Sequence, residues 1–152
     1  MKQGLAAIAI ALVLSAACGR AAPPPSSAQA DAPHQHHAPH GGTLVELGDE
    51  FAHVELVLDP SNGSLTAYVL DGEAEESVRL KQPSLKLSID AQGSRPALVV
   101  ELAAQANILT GETVGDSSEF SVTTSSLIGV RMVSGHLGEI VVKGMEFRDV
   151  RF

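Results

Sequence analysis

The chain has 152 residues, with 10 Lys and Arg against 18 Asp and Glu, a formal charge of −8 with histidine neutral. That acidity argues against a nucleic-acid binder, which needs a basic face to displace counterions; 3% aromatic content without Trp argues against base stacking as well. At 44% apolar and 18% charged residues the composition is that of a globular domain rather than a disordered chain.

Residues 1–17 read as an export signal. Met1-Lys2-Gln3 carries one positive charge, Leu5 to Leu14 is an apolar run, and the small residues Ser15, Ala16 and Ala17 precede Cys18. The run is shorter than the roughly 20 residues that cross a bilayer. Leu14-Ser15-Ala16-Ala17-Cys18 resembles the lipobox of bacterial lipoproteins, in which the cysteine becomes the first mature residue and carries acyl chains such as palmitate. Cys18 is the single cysteine, so the chain has no internal disulfide, and acyl chains on it make a durable membrane anchor. Gly19 after the cysteine resembles lipoproteins sorted to an outer membrane. The expected location is the bacterial cell envelope, facing the periplasm.

Residues 18–41 form a Pro-, Ala- and His-rich stretch with Pro23-Pro24-Pro25 and no apolar periodicity, which predicts a disordered tether. Extended at about 3.1 Å per residue, the roughly 20 residues from Gly19 to Pro39 reach ~60 Å.

From Gly42 the pattern changes to a period of two. Thr43–Leu47 predicts a strand, and 51–58 alternates Ala52, Val54, Leu56 and Leu58 against Phe51, His53, Glu55 and Val57. The turn cluster Asp59-Pro60-Ser61-Asn62-Gly63 then joins 51–58 to Ser64–Leu70 as a β-hairpin. After the Asp71-Gly72 turn, strands are predicted at Ser84–Ile89, 97–103, Glu119–Thr123 and 139–144. The piece 125–132 fits a strand or a helical turn, and His136 falls in a predicted turn. Short strands at this spacing point to an all-β fold, a small antiparallel β-sandwich (Ig-like) over residues 42–152. Phe51, Phe120 and Phe147 are its expected large core fillers.

The chemistry concentrates in histidine. Four of six histidines, His34, His36, His37 and His40, fall within seven residues ahead of the first strand. Neutral imidazole offers a nitrogen lone pair suited to zinc, copper, nickel or cobalt as divalent ions. A flexible tract would hold such an ion loosely, because chelation must order the chain. His53 and Glu55, at i and i+2 on one strand, share a face and form a second candidate pair, with His40 the nearest third ligand. The alternative for the tract is a polar linker with incidental histidines; for the pair, it is an inconsequential solvent-facing pair. Catalytic signatures are missing: there is no His-Glu-x-x-His, no Gly-x-Ser-x-Gly and no Walker loop. His53-Val54-Glu55 lacks the Pro-Cys-x-x-Cys of zinc deaminases. The expectation is a protein that is not an enzyme.

His40-Gly41-Gly42-Thr43-Leu44, Gly48, Glu55 with Val57, Ala67-Tyr68-Val69 and Asp71-Gly72 occur in order. So do Leu109-Thr110-Gly111-Glu112, Ser118–Val122 and Gly135-His136-Leu137-Gly138. Together they resemble the N-terminal domain of periplasmic adaptor (membrane fusion) subunits of heavy-metal RND efflux systems of the cobalt–zinc–cadmium type. The resemblance spans roughly residues 39–142. It implies a β-rich domain concerned with metal capture or hand-over, and an efflux complex as partner. The chain departs from it in having no helical hairpin, lipoyl half-motifs or barrel domain, which implies a stand-alone module. Carry-over to sites is limited to His40 and Glu55. The expected function is a membrane-anchored, periplasmic metal-binding lipoprotein; the alternative is a protein-interaction module with an incidental His-rich linker.

Overall fold

The computed structural model describes residues 36–152, so the leader, Cys18, His34 and most of the tether lie outside the described residues. The period-two segments form antiparallel strands: β1 (Thr43–Leu47), β2 (Ala52–Asp59), β3 (Ser64–Leu70), β4 (Ser84–Ile89), β5 (Leu98–Ala104) and β6 (Glu119–Thr123). Four shorter strands follow: β7 (Gly135–Leu137), β8 (Ile140–Val142), β9 (Met145–Phe147) and β10 (Val150–Arg151). The ambiguous piece after β6 resolves as a 3-10 turn, Ser125–Leu127, capped by the Thr124 side chain. His136, expected in a turn, lies in β7 opposite Ser88 of β4 and Arg151 of β10.

One eight-stranded sheet runs in the order β1-β2-β3-β6-β5-β4-β7-β10, and β8 pairs with β9 alone. The stretch β3-β6-β5-β4 is a Greek key, because the long connection after β3 carries the chain across before β4 begins. The sheet folds over on itself until β1 approaches β10. The result is an all-β, sandwich-like fold, close to a barrel.

The inward row is the one read from alternation. Val54, Leu65, Ala67, Val69, Leu87 and Leu102 are completely buried. Phe120 is the largest fully buried side chain, and its cross-strand partners are Ala67 and Ala104, small residues that leave room for the ring. Phe51 and Phe147 are rim residues instead: partly buried, they pack on each other with ring centres 5.8 Å apart. At the β2–β3 turn, Gly63 (φ +73°) is required twice over. A Cβ there would lie 2.2 Å from the Thr124 carbonyl oxygen, and its backbone region disfavours side chains.

The loop between β5 and β6 is internally braced. Asn107 and Glu112 exchange backbone hydrogen bonds of 3.0 and 2.9 Å, and Thr113 and Asp116 exchange bonds of 3.1 and 2.8 Å. Glu112 is buried; its carboxylate accepts from the Ser118 amide (2.9 Å), the Ser118 hydroxyl and the Thr110 hydroxyl (2.8 Å). Burial alone would raise this carboxyl, but the Ser118 and Thr110 hydrogen bonds and the Arg79 charge outweigh it and hold Glu112 below its ordinary range. A depressed carboxyl stabilises the fold above its unfolded pKa, about 4.3, and that contribution is lost as pH falls through the lower folded value. The melting temperature should therefore fall more steeply with acid below about pH 4.3 in the wild type than in Glu112→Gln. Parallel melting profiles from pH ~3 to 7 would remove this linkage.

Candidate metal site

A strap of chain, residues 36–42, lies on the outer face of the β1-β2-β3 end of the sheet. Gly41 (φ +74°) turns it, with the Gly41 amide on the Ala38 carbonyl at 3.1 Å. Gly42 passes so close to β2 that a Cβ would lie 2.5 Å from the Leu56 carbonyl oxygen. The boundary expected at 41/42 thus falls inside a packed segment.

Glu55 holds the strap. Its Oε1 accepts from the backbone amides of His40 (2.9 Å) and Gly42 (2.8 Å), and its Oε2 accepts from Nδ1–H of His40 (2.8 Å). The side chain has no exposed surface. A carboxylate can leave water only when its oxygens are satisfied, and here three donors converge on it. The inconsequential solvent-facing pair is therefore corrected: Glu55 is fully buried and His53 is 3% exposed. Both faces of β2 are covered, one by the core and the other by the strap.

His40 lies flat on Tyr68, with ring centres 3.8 Å apart and planes 12° from parallel. Tyr68 stands directly opposite Glu55 in the β2–β3 register. Burial, then the charges of Glu119 and Glu55, push its phenol above the ordinary range, so it stays protonated at neutral pH.

One step along β2, His53 donates Nδ1–H to the Asp71 carbonyl at 3.2 Å. The His36 ring leans over it, centres 4.8 Å apart at 56°, and its Nε2–H points to Glu50 Oε1 at 3.4 Å. The Asp71 turn is itself fixed, its carboxylate accepting from the amides of Glu75 (3.0 Å) and Glu76 (3.2 Å). The Glu75 amide, against some opposing burial, and then the Glu76 amide and the Lys143 charge hold that carboxyl low.

These bonds set tautomers. A carboxylate or carbonyl only accepts, so His40 and His53 carry hydrogen on Nδ1 and their neutral rings keep the Nε2 lone pair. By the same argument His36 keeps its lone pair on Nδ1. A ligating histidine held through its other ring N–H by a carboxylate or carbonyl is the usual outer-shell arrangement of metal sites. Among the described residues no three His, Cys, Asp or Glu side chains are already gathered closely enough to hold an ion. His37 is exposed.

Comparison with protein-family models, with curated proteins and with solved structures returns no match.

Of the sequence candidates, the fold brings His36 to His53 and His40 to Glu55, and the two pairs adjoin along β2. It adds Tyr68 under His40, Glu50 beside His36 and the Asp71 carbonyl on His53. Tyr68 was within reach, because a hairpin that closes at Asp59 and Ser64 must set Glu55 opposite it. Glu50 and the Asp71 carbonyl carried no such signal.

Proposed function

We propose that this chain is a lipid-anchored protein of the bacterial cell envelope that binds a divalent transition-metal ion through imidazole nitrogens, in metal handling or efflux. The observation that carries the reading is the pinning of His40 by Glu55 and of His53 by the Asp71 carbonyl, which leaves each Nε2 lone pair uncommitted. The donors suit zinc, copper, nickel or cobalt. Glu55, with both oxygens occupied, serves as an orienting partner, and the ligands are imidazoles. His36 reaches the His53 ring already, and His37 is a further donor on the strap; His34, a candidate from the sequence, lies outside the described residues. Because the ion must draw the strap together, it is held loosely and exchanges readily. This suits buffering or hand-over more than a structural role.

Titration calorimetry with Zn²⁺, Cu²⁺, Ni²⁺ and Co²⁺ on the mature chain tests the proposal. Saturable binding is expected, weakened at least tenfold in the His36→Ala/His53→Ala variant. It should also weaken as the solution is acidified, because protons compete with the metal for imidazole nitrogen. No binding of any of these ions, or binding indifferent to both the variant and pH, would overturn it.

A further inference from the structure

Ile108 and Leu109, adjacent at the tip of the β5–β6 loop, are 97% and 96% exposed, and Val114 of the same loop is 63% exposed. Two neighbouring aliphatic side chains given wholly to water forgo the burial that drives folding. The loop that presents them is braced, as described above, and is also tied to the body. Arg79 donates to the Thr110 carbonyl at 2.6 Å and pairs with Asp116 at 3.0 Å.

Beside this tether point lies a groove of about 470 Å³ lined by Arg79, Lys81, Gln82, Val141, Lys143 and Gly144. Three of the eight Lys and Arg side chains among the described residues therefore meet in one groove of an acidic protein. Glu112 and Asp116 pair with Arg79 of the groove itself, which leaves Lys81 and Lys143 as its uncompensated cations, and Glu139 and Glu146 pair with Arg148. Lys81 and Lys143 make no ion pair among the described residues, although Lys143 is near enough to Asp71 to act on its carboxyl.

We propose that the Ile108–Leu109 tip and the adjoining basic groove form a membrane-docking surface, the tip entering the acyl boundary and Lys81 and Lys143 meeting the phosphates of anionic lipids. An aliphatic insertion next to lysines is the combination that binds an anionic bilayer, each lysine contributing about fivefold in affinity. The chain's net negative charge opposes this only weakly, since charges more than about 8 Å away are screened at physiological salt. Docking rests on the tip and the groove alone, independent of the metal site; an anchor at Cys18 would keep the bilayer within reach.

The test uses residues 19–152 without acylation, since residues 36–152 form one unit with its own core. Co-sedimentation is measured with vesicles of phosphatidylglycerol and phosphatidylethanolamine, and with phosphatidylcholine vesicles as the neutral comparison. Partition to the anionic vesicles is expected, lowered at least tenfold by Ile108→Ser/Leu109→Ser and about thirtyfold by Lys81→Gln/Lys143→Gln. Circular dichroism checks that each variant keeps its β signature. Absence of wild-type partition, or partition that survives in either folded variant, overturns the proposal. So does saturable binding of inorganic phosphate without vesicle partition, which would make the groove a small-anion site. A dimer lost in the Ile108→Ser/Leu109→Ser variant, again without partition, would make the tip a self-association surface instead.

Discussion

Replacing Glu55 with alanine is expected to destabilise the domain by about 2–4 kcal/mol and to free the strap from the sheet. The carboxylate is the common acceptor for the His40 and Gly42 amides and the His40 ring, and it has no exposed surface. Truncation strands three donors and leaves a cavity beneath them. Each unsatisfied buried donor costs about 1–3 kcal/mol, and the half-exposed His40 ring recovers part of that by turning to water. The melting temperature should fall by about 10 °C. Amides of residues 36–42 should lose hydrogen-exchange protection while the β4–β5 amides keep theirs. Glu55→Gln should fall between, since its amide oxygen can keep both backbone donors while its NH₂ donates to Nδ1 of His40 only if that ring moves its hydrogen to Nε2. Unchanged melting and unchanged strap protection in Glu55→Ala would remove Glu55 as the element that holds the strap. The same substitution separates the present site from a simple histidine tail, because a tail binds metal equally well without Glu55. A pinned His40 should instead lose about 10–100-fold in affinity.

Phe120→Ala should be the most damaging single substitution in the core, at about 3–5 kcal/mol, measured by urea denaturation. Phe120 is fully buried on β6, which joins the β1-β2-β3 end of the sheet to β5 and β4. Its neighbours Ala67 and Ala104 have no side-chain length with which to close the hole. A domain of this size has about 5–15 kcal/mol in all, so this loss takes a large share of it. Phe120→Leu, which keeps most of the volume, should cost about 1–2 kcal/mol. Phe51→Ala, at the rim, should cost less than Phe120→Ala. If Phe120→Ala and Phe51→Ala prove equal, the joint through β6 is not the centre of the core.

The strap gives these two effects different reach. Loss of Phe120 should loosen the whole sheet, whereas loss of Glu55 should act chiefly on residues 36–42 and on the imidazoles they carry.

Much of the fold was legible in the chain because strands of five or more residues show alternation directly. Thr43–Leu47, Ser64–Leu70, Ser84–Ile89 and Glu119–Thr123 stand where the pattern placed them. So does the inward row that fills the core. The strands β7, β9 and β10, of three, three and two residues, were not legible, because so few positions cannot display a period. Sequence alone puts His136 in a turn for that reason; its strand exists through pairing with Ser88 and Arg151.

The site divides along the same line. By itself the sequence determined which residues could offer nitrogen to a metal, that His53 and Glu55 share a face, and that the chain is all-β. Those properties follow from residue chemistry and from a side-chain period of two, both local. Only the tertiary structure decided that Glu55 would be buried as a hydrogen-bond acceptor, that His36 would reach His53, and that His40 would lie on Tyr68. Burial depends on what covers a face. Here the cover is a glycine-turned strap whose path is set by close backbone approach at Gly42 and by donors that must find an acceptor. Such long-range satisfaction of polar groups leaves no periodic trace in the chain, so it is decided only when the strap and the sheet meet.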